Sequence, residues 1–447
     1  MENSLDTRMN AFAARALEAA QAAGIAPAEA AYSLNESFSV RVRAQKLEDY
    51  KAADRFQLTL RGRWQGKIGS ASTQAMDEES LDLLIQGVKE SAALIETDEQ
   101  DDILPPDAHY DAVCNASEAV DSISAEEKIA LAMAIDERLC AADARIQPDG
   151  VVVSTGTEVF GLCNTLGLDL SHRSNLIYAY ASCLAKEGDS AATGFKLLWG
   201  YSMEDVLPWD VAGGCAEDAL SKLGAERLAS GERSVVIRNS AMADLLSTFC
   251  GVFSADNAQK GMSLLAGKEG SVIAGPLVTL TDDPLLPWGL GSCPFDREGA
   301  AAKTKNIIAG GVLRTLLHNR KTAQKAGVVT TGNAAGAGRV APSNLYIQPG
   351  KDAPDALLTA MGNGLLLTEV SGLHAGANPI SGDFSLLARG FEIVEGRRVR
   401  PVEQFTVAGN FYQLLKDVTA VGNDLLFDGA PIGSPSVAVR ALHIAGA

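Results

Sequence analysis

Hydrophobic and polar positions alternate with two different periods along this chain, and the change of period marks its units. Residues 7–23 carry Met9, Phe12, Leu17 and many alanines at helical spacing, closed by Gly24, and predict an amphipathic helix. Phe38, Val40 and Val42 then alternate with Ser39, Arg41 and Arg43, and Phe56, Leu58 and Leu60 with Gln57, Thr59 and Arg61. A period of two with one polar face predicts half-buried antiparallel strands. The segment GRWQGKIGSAST extends that sheet. Helical spacing returns with Leu81, Ile85, Val88, Ala92 and Ile95, behind Asp77 as N-cap and Glu78 and Glu79 in the first turn.

The acidic Pro-Pro stretch 97–111 reads as a linker. Beyond it, Ser124 and Glu127 form a capping-box pattern ahead of a helix. Strands follow around Val151–Val153 and between Thr157 and Lys186, with a turn at Asn164–Gly167. A helix is expected over 209–229, then a strand at SVVIRN. After about residue 240 a short helical stretch near Ala241–Gly251 gives way to short strands with Gly and Pro turns. Lys305–Thr315 bends around Gly310–Gly311, and Phe391–Arg400 around Glu395–Gly396. Asn410 is expected to cap a helix carrying Leu414, Val418 and Val421, ended by Gly422. The pattern predicts an α+β protein: an N-terminal α+β domain over 1–105, a middle α/β domain over 106–232, and a large β-rich C-terminal domain over 233–447. Barrel and sandwich both fit the last of these.

Composition narrows the function. The 447 residues suffice for more than one core. With 56 acidic against 38 basic residues, the formal charge of −18 repels a phosphate backbone, so nucleic acid is not an expected partner. Seven cysteines at irregular spacing, with no CxxC pair, fit reduced thiols better than a disulfide framework. The N-terminus lacks the basic start of a signal peptide, and no apolar run approaches a membrane span. A cytoplasmic protein without a membrane partner is expected.

Ordered blocks across the chain carry a resemblance. They are GRWQGKIGSAST, SADNAQKGMSLLAGKEG at 254–270, DDPLLPWGLGSCPFDREGAAAKTKNIIAGGVL at 282–313, NPISGDFSLLARGFEIVEGRRVRPVEQFTVAGN at 378–410 and GSPSVAVRALHIAG at 433–446. The chain resembles the TldD/PmbA family, called modulators of DNA gyrase and classed as peptidases, and within it the PmbA/TldE-type branch. The resemblance implies a dimer in which a TldD-type subunit carries a zinc-binding HExxxH helix and a PmbA/TldE-type subunit pairs with it. The pair acts on unfolded or small modified peptides. In that motif two His hold one zinc and the Glu activates the metal-bound water. Here the five histidines are scattered, the nearest two, His318 and His374, standing 56 positions apart. In DLLSTFCGVF, Ser247, Thr248 and Val252 stand where His, Glu and His are expected. No catalytic residue, no metal ligand and no cofactor are therefore assigned to this chain, and zinc is expected only on a TldD-type partner.

Other chemistry is weaker. His374, Glu369 and Asp383 lie near one another, but they read more simply as loop residues and a backbone-binding carboxylate. No GxSxG elbow surrounds Ser385 or Cys293. The glycine run 332–338 lacks a Walker lysine and reads as a turn. Gly-rich edges near 332–338 and 372–382 are expected to admit an extended peptide by strand addition. Asn378, Gly382, Asp383, Ser385 and Arg389 are the candidate substrate-binding residues, and Gly382 is expected to accept a bulky residue at the cost of peptide binding rather than of folding. The leading expectation is a zinc-free subunit that binds peptide for a TldD-type partner. The alternatives are a self-contained homodimeric hydrolase and a non-catalytic, gyrase-modulator-like binding protein.

Overall fold

The structure is a computed structural model, and it describes residues 5–96 and 102–446. Residues 97–101 of the expected linker lie outside the described residues.

The first helix, α1 (Leu5–Ala22), is followed by a long meander of β1 (Ala28–Arg43), β2 (Lys46–Trp64) and β3 (Lys67–Thr73), then α2 (Glu78–Leu94). Asp77 caps α2, its side chain accepting from Ser80 N at 2.8 Å. A single turn, α3 (Glu118–Asp121), leads into α4 (Ala125–Ala142). Ser124 and Glu127 close the expected capping box at its start. Two 19-residue strands, β4 (Ile146–Asn164) and β5 (Asp169–Glu187), precede β6 (Ser190–Gly200) and α5 (Pro208–Ser221).

These strands make one sheet in the order β3-β2-β1-β4-β5-β6. Segments 1–105 and 106–232 share it, because β1 pairs with β4 from Glu29↔Asn164 to Val42↔Val151. Helices cover a single face. On one half of that face α1 and α2 bury Met9, Phe12, Leu84 and Val88 against Leu34, Leu58 and Leu60. On the other half α4 and α5 bury Ile135, Leu139 and Cys215 against Val151, Ile177 and Ala181.

The helix expected over 209–229 is shorter than its apolar spacing implied. It ends at Ser221, and Gly224 turns the chain at φ +71°. A two-residue strand, β7 (Glu226–Arg227), then joins the edge of a later strand, and Leu228 is buried in the C-terminal core.

The C-terminal region continues with β8 (Gly231–Ile237), α6 (Asn239–Phe249), α7 (Ala255–Gln259), β9 (Leu280–Asp282), β10 (Lys305–Ala309), β11 (Val312–Leu313), α8 (Arg320–Ala326), β12 (Leu345–Ile347), α9 (Pro354–Met361), β13 (Gly364–Ser371), α10 (Leu373–Gly376), β14 (Asp383–Val394), β15 (Arg397–Asn410), α11 (Phe411–Lys416), β16 (Val418–Val421), β17 (Leu426–Phe427), β18 (Ile432–Ser434) and β19 (Val437–Ala445). The strands β8, β13, β14, β15 and β19 pair in turn, and β15 pairs back to β19 through Thr406↔Ala445 and Ala408↔His443. The ring closes a five-stranded barrel, which decides between the barrel and the sandwich. Phe384, Leu386, Phe405 and Val407 point into its core, where α6 adds Leu245, Leu246 and Phe249. A second, smaller sheet runs β11-β10-β9-β12-β18-β17.

Asn410 caps α11 as expected, but that helix ends at Lys416. Val418 and Val421 belong to β16 instead. A bulge between Val418 and Ala420 turns both valines inward, which reproduces helical spacing in a strand.

Candidate functional site

The face of the six-stranded sheet without helices is the natural place for a ligand. Part of it is covered by the loop between β9 and β10. Phe295 of that loop packs on Phe160 and Leu162, and the Arg297 guanidinium lies 3.8 Å from the Phe160 ring centre. Asn115 fixes the same loop by donating to Gly289 O and Ser292 O.

Towards the edge strand β6 the cover thins to Leu290 of the same loop, and a cavity of about 270 Å³ opens. Tyr178, Tyr180, Phe195, Leu197 and Trp199 form its floor, and Gly429 closes one side. They are neighbours because Tyr178 pairs with Trp199 and Tyr180 with Leu197 across β5 and β6. Tyr180 and Phe195 meet with ring centres 5.6 Å apart. Trp199 Nε1 donates to Phe427 O at 2.8 Å, fastening the sheet to β17. The opposite faces of the same strands, Ile177, Ala179 and Ala181, are fully buried under α4 and α5. Both faces of β5 are thus apolar, where a strand with one wet face normally alternates with polar residues.

A recess of charge adjoins the cavity. Asp428 precedes Gly429. Across from it lie Asp244 on α6 and Glu369 on β13. Asp244 and Asp428 reach solvent, yet protein crowds around them as it does in a cleft. This crowding, and then the repulsion from Asp428 and Glu369, pushes the Asp244 carboxyl up to about 6. Asp428 is raised by burial as well, with Lys196 and Arg238 acting the other way. Glu369 is bridged at 3.2 Å by Lys222, which also holds Asp218 at 2.8 Å.

The five residues singled out from the sequence sit on and beside β14, on the outside of the barrel. Asn378 Oδ1 accepts from Ile380 N and Ser381 N, making a turn. Gly382 holds φ +83°, and a Cβ there would come within 2.6 Å of the Tyr412 ring, so a side chain at 382 acts on the fold before it acts on a ligand. The Asp383 carboxylate accepts from Asn410 Nδ2 and Ser381 Oγ, both at 2.8 Å, which hold its pKa below the usual carboxylate range. Ser385 points outward and is exposed. Arg389 stands beside Glu369 in register and pairs with Glu403 at 3.6 Å, so it borders the carboxylate recess.

Strand addition meets an obstacle at both glycine edges. β14 is paired on each side, with β15 from Asp383 onward and through Ala377↔Phe384 and Ser371↔Leu387. The 332–338 turn is pinned, Asn333 donating to the buried Asp282 and Ala334 N to Asp296.

The sequence reading missed the aromatic floor. Its signal was present in LIYAYASCLA and GFKLLWG, where large apolar residues recur on both faces of the strand.

Residues 118–226 match the PmbA/TldA metallopeptidase central domain, and residues 230–446 the PmbA/TldA metallopeptidase C-terminal domain. A crystal structure of a putative modulator of a DNA gyrase from Thermotoga maritima superposes with a TM-score of 0.92 and 32% identity, over 98% of this chain and 100% of that one. The chain belongs to the TldD/PmbA family. Among curated TldD/PmbA relatives, the metalloprotease PmbA of Escherichia coli O157:H7 is 28% identical over 412 residues, which is 89% of this chain and 88% of that protein. TldE from Thermococcus kodakarensis shares the fold, with a TM-score of 0.87 at 21% identity.

The TldD/PmbA family implies zinc, so the helix expected to hold it must be tested against its residues. Ser247 lies exposed on α6. The Thr248 hydroxyl donates to Asp244 O at 2.8 Å, within the helix. Val252 is 1% exposed in the barrel core, and it belongs to a 3-10 turn after α6 has ended. None of the three fits zinc. The imidazoles are equally unsuited. His172 faces Asn115 at 2.7 Å and His318 is buried, while His109 and His443 pair with Asp111 and Glu232 at the surface. Among the described residues, no three His, Cys, Asp or Glu side chains gather as a metal-holding group, and His374, Glu369 and Asp383 do not converge.

Proposed function

We propose that this chain is a PmbA/TldE-type subunit of a peptide-hydrolysing pair. It binds unfolded or small modified peptide over the open sheet face at β5 and β6, and a TldD-type, HExxxH-bearing partner supplies the zinc. The observation that carries this reading is the α6 segment. The positions expected to ligate zinc hold a serine, a threonine and a core valine, while the sheet face beside that helix stays open and apolar. On the barrel side, Asn378, Gly382, Asp383, Ser385 and Arg389 shape the bank that a bound peptide passes. Asp383, Ser385 and Arg389 face outward from the strand, and the first of them is already held by Asn410 and Ser381. The net charge of −18 keeps nucleic acid out of this reading, and no described helix is long and apolar enough to cross a membrane.

The test uses the purified chain, alone and mixed with an HExxxH-bearing relative from the same organism, on a denatured protein and on short peptides. The expected result is no cleavage and no stoichiometric zinc in the chain alone, and chelator-sensitive cleavage in the mixture exceeding that of the relative alone. Chelator-insensitive hydrolysis by the chain alone would establish the self-contained hydrolase instead. Tight binding of gyrase without hydrolysis in any mixture would establish the regulatory protein.

A further inference from the structure

We propose that the aromatic cavity at β5 and β6 is a specificity subsite that takes one large apolar or aromatic side chain of an extended peptide. The inference rests on the peptide-binding reading above and adds which peptides are preferred.

Size is the first argument. Pockets for whole drug-sized ligands run from roughly 300 to 1,000 Å³. A cavity of about 270 Å³ falls just below that range and suits one large side chain with its backbone. Chemistry is the second. The floor offers ring faces and branched carbons, and the one indole N–H in it is already committed to Phe427 O. An aromatic guest stacks or packs edge-on against Tyr180 and Phe195, whose rings already meet at 5.6 Å. A polar guest finds only the Tyr178 and Tyr180 hydroxyls to replace its water. Exposure is the third. Phe195 leaves 53% of its surface to solvent on the edge strand, and it loses that cost when a guest covers it.

The experiment measures fluorescence anisotropy of the full-length chain with labelled eight-residue peptides that differ only at one central residue, Phe or Ser. The expected preference for Phe over Ser is roughly tenfold to a hundredfold, the effect of burying one large apolar side chain. Phe195→Ser removes that preference, and its exposed position leaves the thermal midpoint unchanged. Leu197→Ser, at a half-buried position of the same floor, removes the same preference. Equal affinity for the two peptides overturns the subsite while leaving the peptide-binding reading standing. Absence of binding to every peptide overturns both. A Phe preference that survives Phe195→Ser and Leu197→Ser places the subsite elsewhere and overturns this assignment.

Discussion

Replacing Lys305 by Met tests how the C-terminal region is held together. Asp282 on β9 is wholly buried, and three donors meet its carboxylate: Lys305 Nζ at 3.0 Å, Asn333 Nδ2 at 2.7 Å and Ser343 N at 2.7 Å. Lys305 Nζ also donates to Thr331 O at 2.8 Å and Asn333 Oδ1 at 2.9 Å. The Lys305→Met variant keeps the length and packing of the stem and removes the ammonium. Asp282 is then a dehydrated carboxylate with two neutral donors, Thr331 O loses the ammonium, and Asn333 Oδ1 keeps only the Thr331 hydroxyl. Breaking a buried pair from one side costs about 3–5 kcal/mol. For a cooperative unit of roughly 150–250 residues each kcal/mol moves Tm by about 2–4 °C, so the midpoint falls by roughly 6–20 °C. Calorimetry and urea unfolding followed by tryptophan fluorescence read the loss. Asp282→Asn in the same background relieves the orphaned charge, so the double variant loses at least about 2 kcal/mol less than the two single losses together. Hydrogen exchange over residues 330–341 speeds up in Lys305→Met, since Asn333 ties that turn to Asp282. A cost below about 1 kcal/mol, or strictly additive losses, refutes the reasoning.

Three further outcomes follow from individual contacts. The Asp244 carboxyl binds its proton more tightly in the folded chain, so the associated stability is present below about pH 4 and is lost as pH rises through about 6. Asp244→Asn therefore raises the thermal midpoint at pH 7.5 and leaves it unchanged at pH 4, and an equal shift at both pH values contradicts the charge origin. Gly382→Ala costs about 1–3 kcal/mol from its left-handed backbone alone, and shortening Tyr412 to Ala recovers none of that part; a neutral effect on urea unfolding contradicts the turn. Maleimide labelling at pH 7.5 modifies the exposed Cys114 before Cys163 and Cys293, whose thiols burial pushes up to about 12 and about 11, and mass spectrometry of peptides gives the order.

Local signals were legible in the sequence, and pairings between distant segments were not. The Asp77 cap, the Ser124–Glu127 capping box and the Glu395–Gly396 hairpin depend on a few adjacent residues, and each stands where the pattern put it. Barrel closure depends on Thr406–Ala408 meeting His443–Ala445, and β8 lies beside β13 more than a hundred residues away. Nothing in a local period encodes such partners. The two misread helix ends share a cause: apolar spacing continued past the point where tertiary pairing took the backbone. At 226–227 that pairing is to β15, and at 418–421 to β19. The aromatic floor escaped because a strand apolar on both faces resembles one buried on both. Only the uncovered face of the folded sheet separates these cases.

The zinc question turns on the shape of α6 as much as on its composition. Installing the motif by Ser247→His, Thr248→Glu and Val252→His supplies the missing side chains, yet the backbone keeps them apart. Ser247 is exposed on the helix, while Val252 follows the helix end in a 3-10 turn and packs in the same core as Phe249 and Phe253. A histidine at 252 buries an imidazole among apolar side chains, which costs stability and lowers its pKa without turning it towards 247. The triple variant is therefore expected to lose about 2–4 kcal/mol in urea unfolding, as large polar groups forced into cores do, and to bind no stoichiometric zinc by metal analysis. Zinc retained at one equivalent would mean that the 250–253 turn rearranges to bring position 252 round towards 247, and that substitution of the ligands alone separates this chain from a metal-bearing one. If the expected result holds, the core packing around Phe249, Val252 and Phe253 keeps a histidine at 252 from reaching a shared ligand position with one at 247, so composition and backbone both stand against zinc on this helix.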